Sequence, residues 1–256
     1  MQEIIQIIVF IFASILHGIA GMAFPMLATT SLTFIMPLSK VIALVALPSL
    51  LMSVLLVLSN NNKQTFCKES VYYIKTYKFL ALSSVIGTIL GVKLLLILPV
   101  SWLYLLMASV TLYYSITGLL AIFGKAKSIK VAPNNKNMVL FGFLAGLVGG
   151  ATNAMSPILL MFLFSQTDDK NRIVKASNLC FLLAKIVQIC MLKDQYLSLE
   201  KGEFTLIFFL SIFSILGLYV GIWLRNKISA KFFKILIFAI LLILALKIGY
   251  SGILKL

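Results

Sequence analysis

Apolar runs dominate the pattern of positions along this chain, and short polar stretches separate them. Because an α-helix rises about 1.5 Å per residue, roughly 20 apolar residues cross the hydrocarbon core of a membrane. The pattern predicts eight hydrophobic segments, at residues 4–35, 41–58, 79–98, 101–123, 138–164, 173–192, 204–224 and 232–254. No connector is long enough to hold a folded soluble domain. We therefore predict an all-α integral membrane protein.

The first four segments resemble the last four. Each half opens with a segment in which glycine precedes proline by seven residues, Gly18 and Pro25 in one half and Gly150 and Pro157 in the other. The two prolines are 132 positions apart, and offsets of 130 or 131 relate the pairs Gly87 and Gly217, Gly91 and Gly221, and Gly118 and Gly249. This regularity predicts two four-segment repeats, residues 1–123 and 138–256, joined by a basic loop at 124–137.

Segments one and five are predicted to be broken, because glycine and proline interrupt each of them in mid-run. Pro25 and Pro157 each suit the first turn of a new half-helix, and Ser156 suits the N-cap of the second one. Each broken segment either crosses the membrane or is a re-entrant hairpin that turns back.

Loop charge favours the re-entrant alternative. Three loops, at 59–78, 124–137 and 225–234, carry four Lys or Arg residues each. Basic loops tend to stay on the cytoplasmic side, and all three lie there together only if segments one and five turn back. The halves are then inverted repeats of three crossings and one hairpin, and the three basic loops are cytoplasmic.

Composition supports a membrane protein and limits the classes of partner that it can bind. Hydrophobic residues make up 61% of the chain and charged residues 11%, against about 45–50% and about 25% in soluble domains. The net charge of +15 resides mostly in short loops, so we expect a lipid bilayer as partner and no nucleic acid. Residues 1–21 contain no Lys or Arg, so no cleaved signal peptide is expected.

The residues available for chemistry exclude most enzymatic mechanisms within the membrane. No Asp or Glu lies in the predicted membrane core, His17 is the single histidine, and no nucleotide-binding P-loop occurs. We therefore expect no catalytic residue, no metal and no cofactor. One alternative is an intramembrane serine protease, because residues 249–252 spell the motif GxSG around Ser251, for which His17 would be the base.

The two predicted breaks carry polar residues that suit an anion. Glycines allow a ligand to approach backbone N–H groups, and a half-helix that starts at a break directs its unpaired N–H groups toward that ligand. The candidate binding residues are Gly149, Gly150, Thr152, Asn153 and Ser156 in segment five, and His17, Gly18 and Gly21 in segment one. For His17 the alternative is a hydrogen-bonded imidazole inside the helix bundle.

Segment six adds a buried cation. Asn178, Lys185 and Gln188 share one helical face, and Lys185 lies about 13 residues into a run of 20. An ammonium group at that depth costs at least about 2.5–3.5 kcal/mol, so we expect it to face a wet cavity or a bound anion. The alternative is that Lys185 pairs with backbone carbonyl groups and only packs the bundle.

Pairs of glycines spaced four residues apart occur in segments three, five and seven. Small residues at this spacing allow two helices to approach closely. We predict helix packing as the role of Gly87 and Gly91, Gly142 and Gly146, and Gly217 and Gly221.

Several of these features together resemble a known family. The sulfite exporter TauE/SafE family (4-toluene sulfonate uptake permeases) is similar in its glycine-then-proline breaks, here Gly18 to Pro25 and Gly146 to Pro157, and in the stretch 175–179 that precedes Lys185 and Gln188. The resemblance covers essentially the whole chain. It implies a multi-pass permease of the bacterial inner membrane that moves sulfite, sulfonates or related organosulfur anions.

The sequence thus predicts a secondary transporter for a small inorganic or organosulfur anion, with a site midway through the membrane between two repeats. A non-transporting accessory subunit and an intramembrane serine protease are the alternatives.

Re-entrant hairpins place residue 40 outside the cell and residue 170 inside it. In a background without the native cysteines, we expect a membrane-impermeant maleimide to label Lys40→Cys in intact cells, and Lys170→Cys only after permeabilisation. Labelling of both positions from the same side would contradict the re-entrant arrangement.

Overall fold

The computed structural model describes residues 2–33, 36–59, 66–125, 130–199 and 201–254, and it contains α-helices and no strands in these ranges. The helices are α1 (Gln2–Ala20), α2 (Ala23–Leu32), α3 (Leu38–Leu58), α4 (Phe66–Ile97), α5 (Val100–Ile122), α6 (Asn135–Thr152), α7 (Ser156–Gln166), α8 (Lys170–Met191), α9 (Lys193–Leu197), α10 (Lys201–Lys227) and α11 (Ala230–Ile253). The predicted all-helical class is therefore confirmed for the described residues.

Six described helices are long and apolar enough to cross a membrane by length and composition. They are α3, α4, α5, α8, α10 and α11, and they correspond to the predicted segments other than one and five. The two remaining segments are each divided into two shorter helices. Most predicted boundaries agree with the helix ends within three residues, because the apolar runs end where the helices do.

The start of α4 differs from the prediction. The loop expected at 59–78 is helical from Phe66 onward, and a kink at Tyr77 (φ −107°, ψ 15°) stands beside the predicted boundary. Residues 66–78 lack glycine and proline, so a polar stretch continues the helix although it is not apolar. Residues 60–65 and 126–129 of the predicted basic loops lie outside the described residues.

Both broken segments have their breaks beside the predicted prolines. Gly21 (φ 78°) separates α1 from α2, and Asn153 (φ 64°) ends α6 before α7 begins. Pro25 and Pro157 lie in the first turns of α2 and α7, as predicted. The prediction that Ser156 is an N-cap is wrong, because Met155 holds that position.

The ends of α10 define the two ends of the helix bundle, which we call the Glu203 end and the Arg225 end. Lys40, at the start of α3, forms an ion pair with Glu203 at 2.7 Å. Phe10 of α1 and Leu32 at the end of α2 line a small cavity with Glu203. Ile11 and Gly18 of α1 face Gly217 and Gly221 of α10 in the same order, so α1 runs parallel to α10, and the α1–α2 pair enters and leaves the bundle at the Glu203 end.

The α6–α7 pair folds back at the opposite end. Gln166, the last residue of α7, donates a 2.8 Å hydrogen bond to the carbonyl oxygen of Val131, which lies just before α6. Lys170, the first residue of α8, donates to the carbonyl oxygen of Arg225 at 2.9 Å. Both ends of this second hairpin thus lie at the Arg225 end.

Glycines bring each hairpin into close contact with a long helix. The first helix of each hairpin packs against one long helix, α1 against α10 and α6 against α4, while α3 packs against α8 and α5 against α11. A Cβ atom at Gly87, Gly91 or Gly146 would overlap a backbone carbonyl oxygen of the facing helix, and Gly18 and Gly221 lie directly against each other. The predicted packing role of the paired glycines is therefore confirmed.

Gly91 and Gly202 are a matched pair for measuring this packing. A Cβ at Gly91 would overlap the carbonyl of Leu147, whereas a Cβ at Gly202 meets nothing within 4 Å. We expect Gly91→Ala to destabilise the protein by about 1–3 kcal/mol because overpacking displaces the backbone. Gly202→Ala should be neutral or slightly stabilising. Equal thermal unfolding midpoints of the two variants in detergent would contradict this account of the α4–α6 contact.

Candidate functional site

The two breaks and the polar face of α8 meet inside the bundle. Asn153 ends α6 in the left-handed conformation, which asparagine tolerates better than most residues. Asn178, Lys185 and Gln188 are all buried on α8, and Lys185 is 2% exposed. The predicted face of segment six therefore points into the protein.

Lys185 is the centre of a hydrogen-bond network that joins both hairpins to α8. Its ammonium group donates to Asn153 Oδ1 and, at 2.6 Å, to Gln188 Oε1. Gln188 Nε2 in turn donates to the carbonyl oxygen of Gly149 at 3.0 Å. Asn153 Nδ2 donates to the hydroxyl oxygen of Thr29 in α2 at 2.8 Å. The network thus connects α2, the α6–α7 break and α8.

The charge of Lys185 has no counter-charge among the described residues. Its two acceptors are neutral amide oxygens, and the ion pairs Lys40–Glu203 and Lys234–Asp168 lie at the two ends of the bundle. Both acceptors are side-chain oxygens and not the backbone carbonyl groups expected under the alternative of a packing role. An ammonium has three N–H donors, so one donor is available for a further group.

Asn178 binds the first break to α8. Its Nδ2 donates to the carbonyl oxygens of Gly21 and Val174, both at 2.8 Å. Nearby, His17 Nδ1 accepts a 3.4 Å hydrogen bond from the backbone N–H of Phe24. His17 Nε2 and Asn178 Oδ1 are buried without a hydrogen-bond partner. Unsatisfied polar atoms therefore lie beside the first break as well.

The other candidate residues contact their own helices or neighbouring helices. Thr152 donates from Oγ1 to the carbonyl oxygen of Val148, and Ser156 donates from Oγ to that of Met22 at 3.0 Å. Gly18 packs against α10, and Gly150 packs against the backbone of Thr88 in α4. Ser156 therefore joins the two breaks, whereas Thr152 does not reach the Lys185 network.

Sequence reasoning missed Thr29 and Arg225, two buried polar residues near the breaks. Thr29 lies in an apolar run that carries no signal of a site, but it is 2% exposed and accepts a hydrogen bond from Asn153. Arg225 was assigned to a loop but is only 5% exposed. The available signal for Arg225 was its spacing of four and eight residues from Gly221 and Gly217, which places all three on one helical face.

The residues of the protease alternative do not bond to one another. Ser251 donates its hydroxyl hydrogen bond to the carbonyl oxygen of Lys247 at 3.0 Å. His17 Nδ1 is bonded to Phe24, and His17 Nε2 has no partner. Within the described ranges, no three His, Cys, Asp or Glu side chains are grouped to hold a metal ion.

Comparison with known proteins identifies the family. The model of the family described as sulfite exporter TauE/SafE matches residues 6–248, a range that includes both hairpins and α8. Neither the curated proteins nor the solved structures contain a significant match. Since the family match covers nearly the whole chain and accompanies six membrane-length helices, this protein is a multi-pass membrane protein that belongs to the sulfite exporter TauE/SafE family.

Proposed function

We propose that this protein is a secondary transporter of a small anion, sulfite or an organosulfur anion, and that the anion binds at Lys185. The observation that carries the proposal is a buried ammonium group, without a counter-charge, where both hairpins meet α8. A bound anion would supply the missing charge and accept the remaining N–H of Lys185. Asn153 and Gln188 orient the ammonium group through their amide oxygens.

The helices that begin at the breaks support an anion rather than a cation. The N-cap residues of α2 and α7, Met22 and Met155, form no side-chain cap, and His17 Nδ1 accepts from one N–H group of the first turn of α2, that of Phe24. Uncapped N-termini expose N–H groups and the positive end of the helix dipole. These two termini and Lys185 make the centre of the bundle electropositive.

Two inverted repeats best account for this arrangement. Gly21 and Asn153, the left-handed residues of the two breaks, are 132 positions apart, and so are Pro25 and Pro157. The hairpins approach from opposite ends of the bundle, and each packs against a long helix of the other half. We assign residues 1–123 and 138–256 to the repeats, with 124–137 as the connecting loop.

The Arg225 end faces the cytoplasm in this proposal. The loops at 59–78, 124–137 and 225–234 are all basic, and basic loops favour the cytoplasmic side. The membrane is the bacterial inner membrane, as expected for an exporter of this family. Anions then reach Lys185 alternately from the two ends.

Alternating access follows from contacts at three levels. Asn153–Thr29 and Ser156–Met22 join the hairpins at the centre, Lys40–Glu203 closes one end, and Arg172 Nε donates to the hydroxyl oxygen of Tyr77 at 2.9 Å at the other. Rocking one repeat against the other opens one end while the other stays closed. The anion crosses without a covalent step.

Lys185→Met removes the charge and keeps a similar side-chain length. We expect flux of radiolabelled sulfite into proteoliposomes to fall at least about tenfold, because the anion loses its buried counter-charge. The unfolding midpoint should stay the same or rise, since an unpaired buried charge is costly. Thiosulfate, sulfoacetate and simple carboxylates, tested in parallel, define the substrate class.

The matched control is Lys193→Met, which changes an exposed lysine of α9. An accessory subunit that does not transport would tolerate both substitutions equally. Unchanged flux of every tested anion in Lys185→Met would therefore refute the proposed function.

Gln188→Glu keeps the shape of the side chain but adds a negative charge beside Lys185. The new carboxylate should act as an internal counter-ion and raise the KM for sulfite by about tenfold or more. Gln195→Glu makes the same chemical change on α9 and should leave the KM unchanged. Equal KM values for the two variants would show that the anion does not depend on the charge of Lys185.

A further inference from the structure

Arg225 is a buried guanidinium group at the end of α10. It is 5% exposed, and its Nε and Nη1 have no hydrogen-bond partner. It lies on the face of α10 that carries Gly217 and Gly221, one turn beyond the point where Gly221 contacts Gly18 of α1. Arg225 therefore lies next to the C-terminal end of α1, close to the first break.

No ion pair among the described contacts neutralises the charge of Arg225. Asp169 interacts electrostatically with Arg225 but forms no ion pair with it among the described contacts. The Asp169 carboxylate instead caps α8, where it accepts hydrogen bonds from the backbone N–H groups of Asn171 and Arg172. Lys170, Arg172 and Lys175 add three positive charges on the first two turns of α8. This region is consequently basic.

The buried positive charge of Arg225 requires a partner that compensates for its lost hydration. An unpaired buried cation costs several kcal/mol, and the carbonyl groups at the end of α1 offer a favourable dipole but no hydrogen bond to Arg225 among the described contacts. A guanidinium presents N–H donors in a planar fork that matches an oxyanion. An oxyanion at this position would provide both the missing charge and the missing acceptors.

His17 lies between Arg225 and Lys185. Its imidazole interacts electrostatically with both cations and with the side chain of Asn178, and its Nε2 is buried without a hydrogen-bond partner of ordinary geometry. Along α8, Asn178 is seven residues from Lys185, or about 10 Å. Unsatisfied polar atoms thus extend from the Lys185 network to the Arg225 end.

We propose that Arg225 forms a second anion-binding site, which holds the transported oxyanion at the Arg225 end before or after it occupies the Lys185 site. The anion passes His17 and Asn178 on its way between the two cations. This inference rests on the proposed function, because it assigns Arg225 to the same anion pathway.

His17 is a unique reporter for this site, since the chain has one histidine. We would label the histidine ring with ¹⁵N, place the protein in nanodiscs, and titrate sulfite at constant ionic strength, with chloride as the reference anion. In Lys185→Met, sulfite should still shift the His17 signals in a saturable manner through binding at Arg225. In the double variant Lys185→Met/Arg225→Gln, the response should fall to that of chloride.

The matched control is Lys185→Met/Lys227→Gln. Lys227 lies two residues beyond Arg225, and its ammonium group stacks on the ring of Trp223 at 3.6 Å rather than pointing into the bundle. This variant loses the same charge and should keep the sulfite response. Should Arg225→Gln unfold the protein, Arg225→Lys decides instead, because it keeps the charge but loses the planar fork and should weaken the sulfite response about tenfold.

Two results would overturn the second site. They are a complete loss of the His17 response in Lys185→Met alone, and equal responses of the double variants carrying Arg225→Gln and Lys227→Gln. Sulfite flux separates this failure from that of the proposed function. If either of these two results is found and Lys185→Met has lost its sulfite flux, only the role of Arg225 is refuted. If Lys185→Met retains its sulfite flux, the proposed transport at Lys185 is refuted.

Discussion

The structure depends on a positive charge that is held where two helices are interrupted. A break inside a membrane leaves N–H and C=O groups that lipid cannot satisfy, so the protein must supply partners for them. Gln188 meets this need at the second break and Asn178 at the first, each through an amide that bonds to backbone carbonyl oxygens. Lys185 then adds charge to a region whose polar groups are already ordered. In the proposed transport function, this buried charge is what favours a negative ligand.

Close helix packing makes such a site possible. Gly91 and Gly146 allow α4 and α6 to touch backbone to backbone, and Gly18 and Gly221 do the same for α1 and α10. Each hairpin is thereby shielded along one side by a long helix. The breaks can remain polar and structured because they contact protein, and the mutual contact Ser156–Met22 holds them together.

The site was partly predictable from residue type and position. Lys185 was identified because an ammonium group deep in an apolar run is costly without a polar or charged partner. Gln188 was identified with it because the spacing of three residues places both on one helical face. Thr29 could not be identified in this way, because threonine is unremarkable in a membrane helix and its role depends on Asn153, 124 residues away. Ser156 was assigned to a local cap, but its hydroxyl bonds to the other hairpin.

The sequence by itself determined the helical class, the membrane-length segments and the two breaks, because these depend on local hydrophobicity and on the backbone limits of glycine and proline. Tertiary structure alone decided which residues meet. It brought Thr29, Asn153 and Lys185 together and buried Arg225 in a stretch assigned to a loop. The physical reason is that burial and hydrogen-bond partners depend on contacts between distant segments, which local composition does not specify.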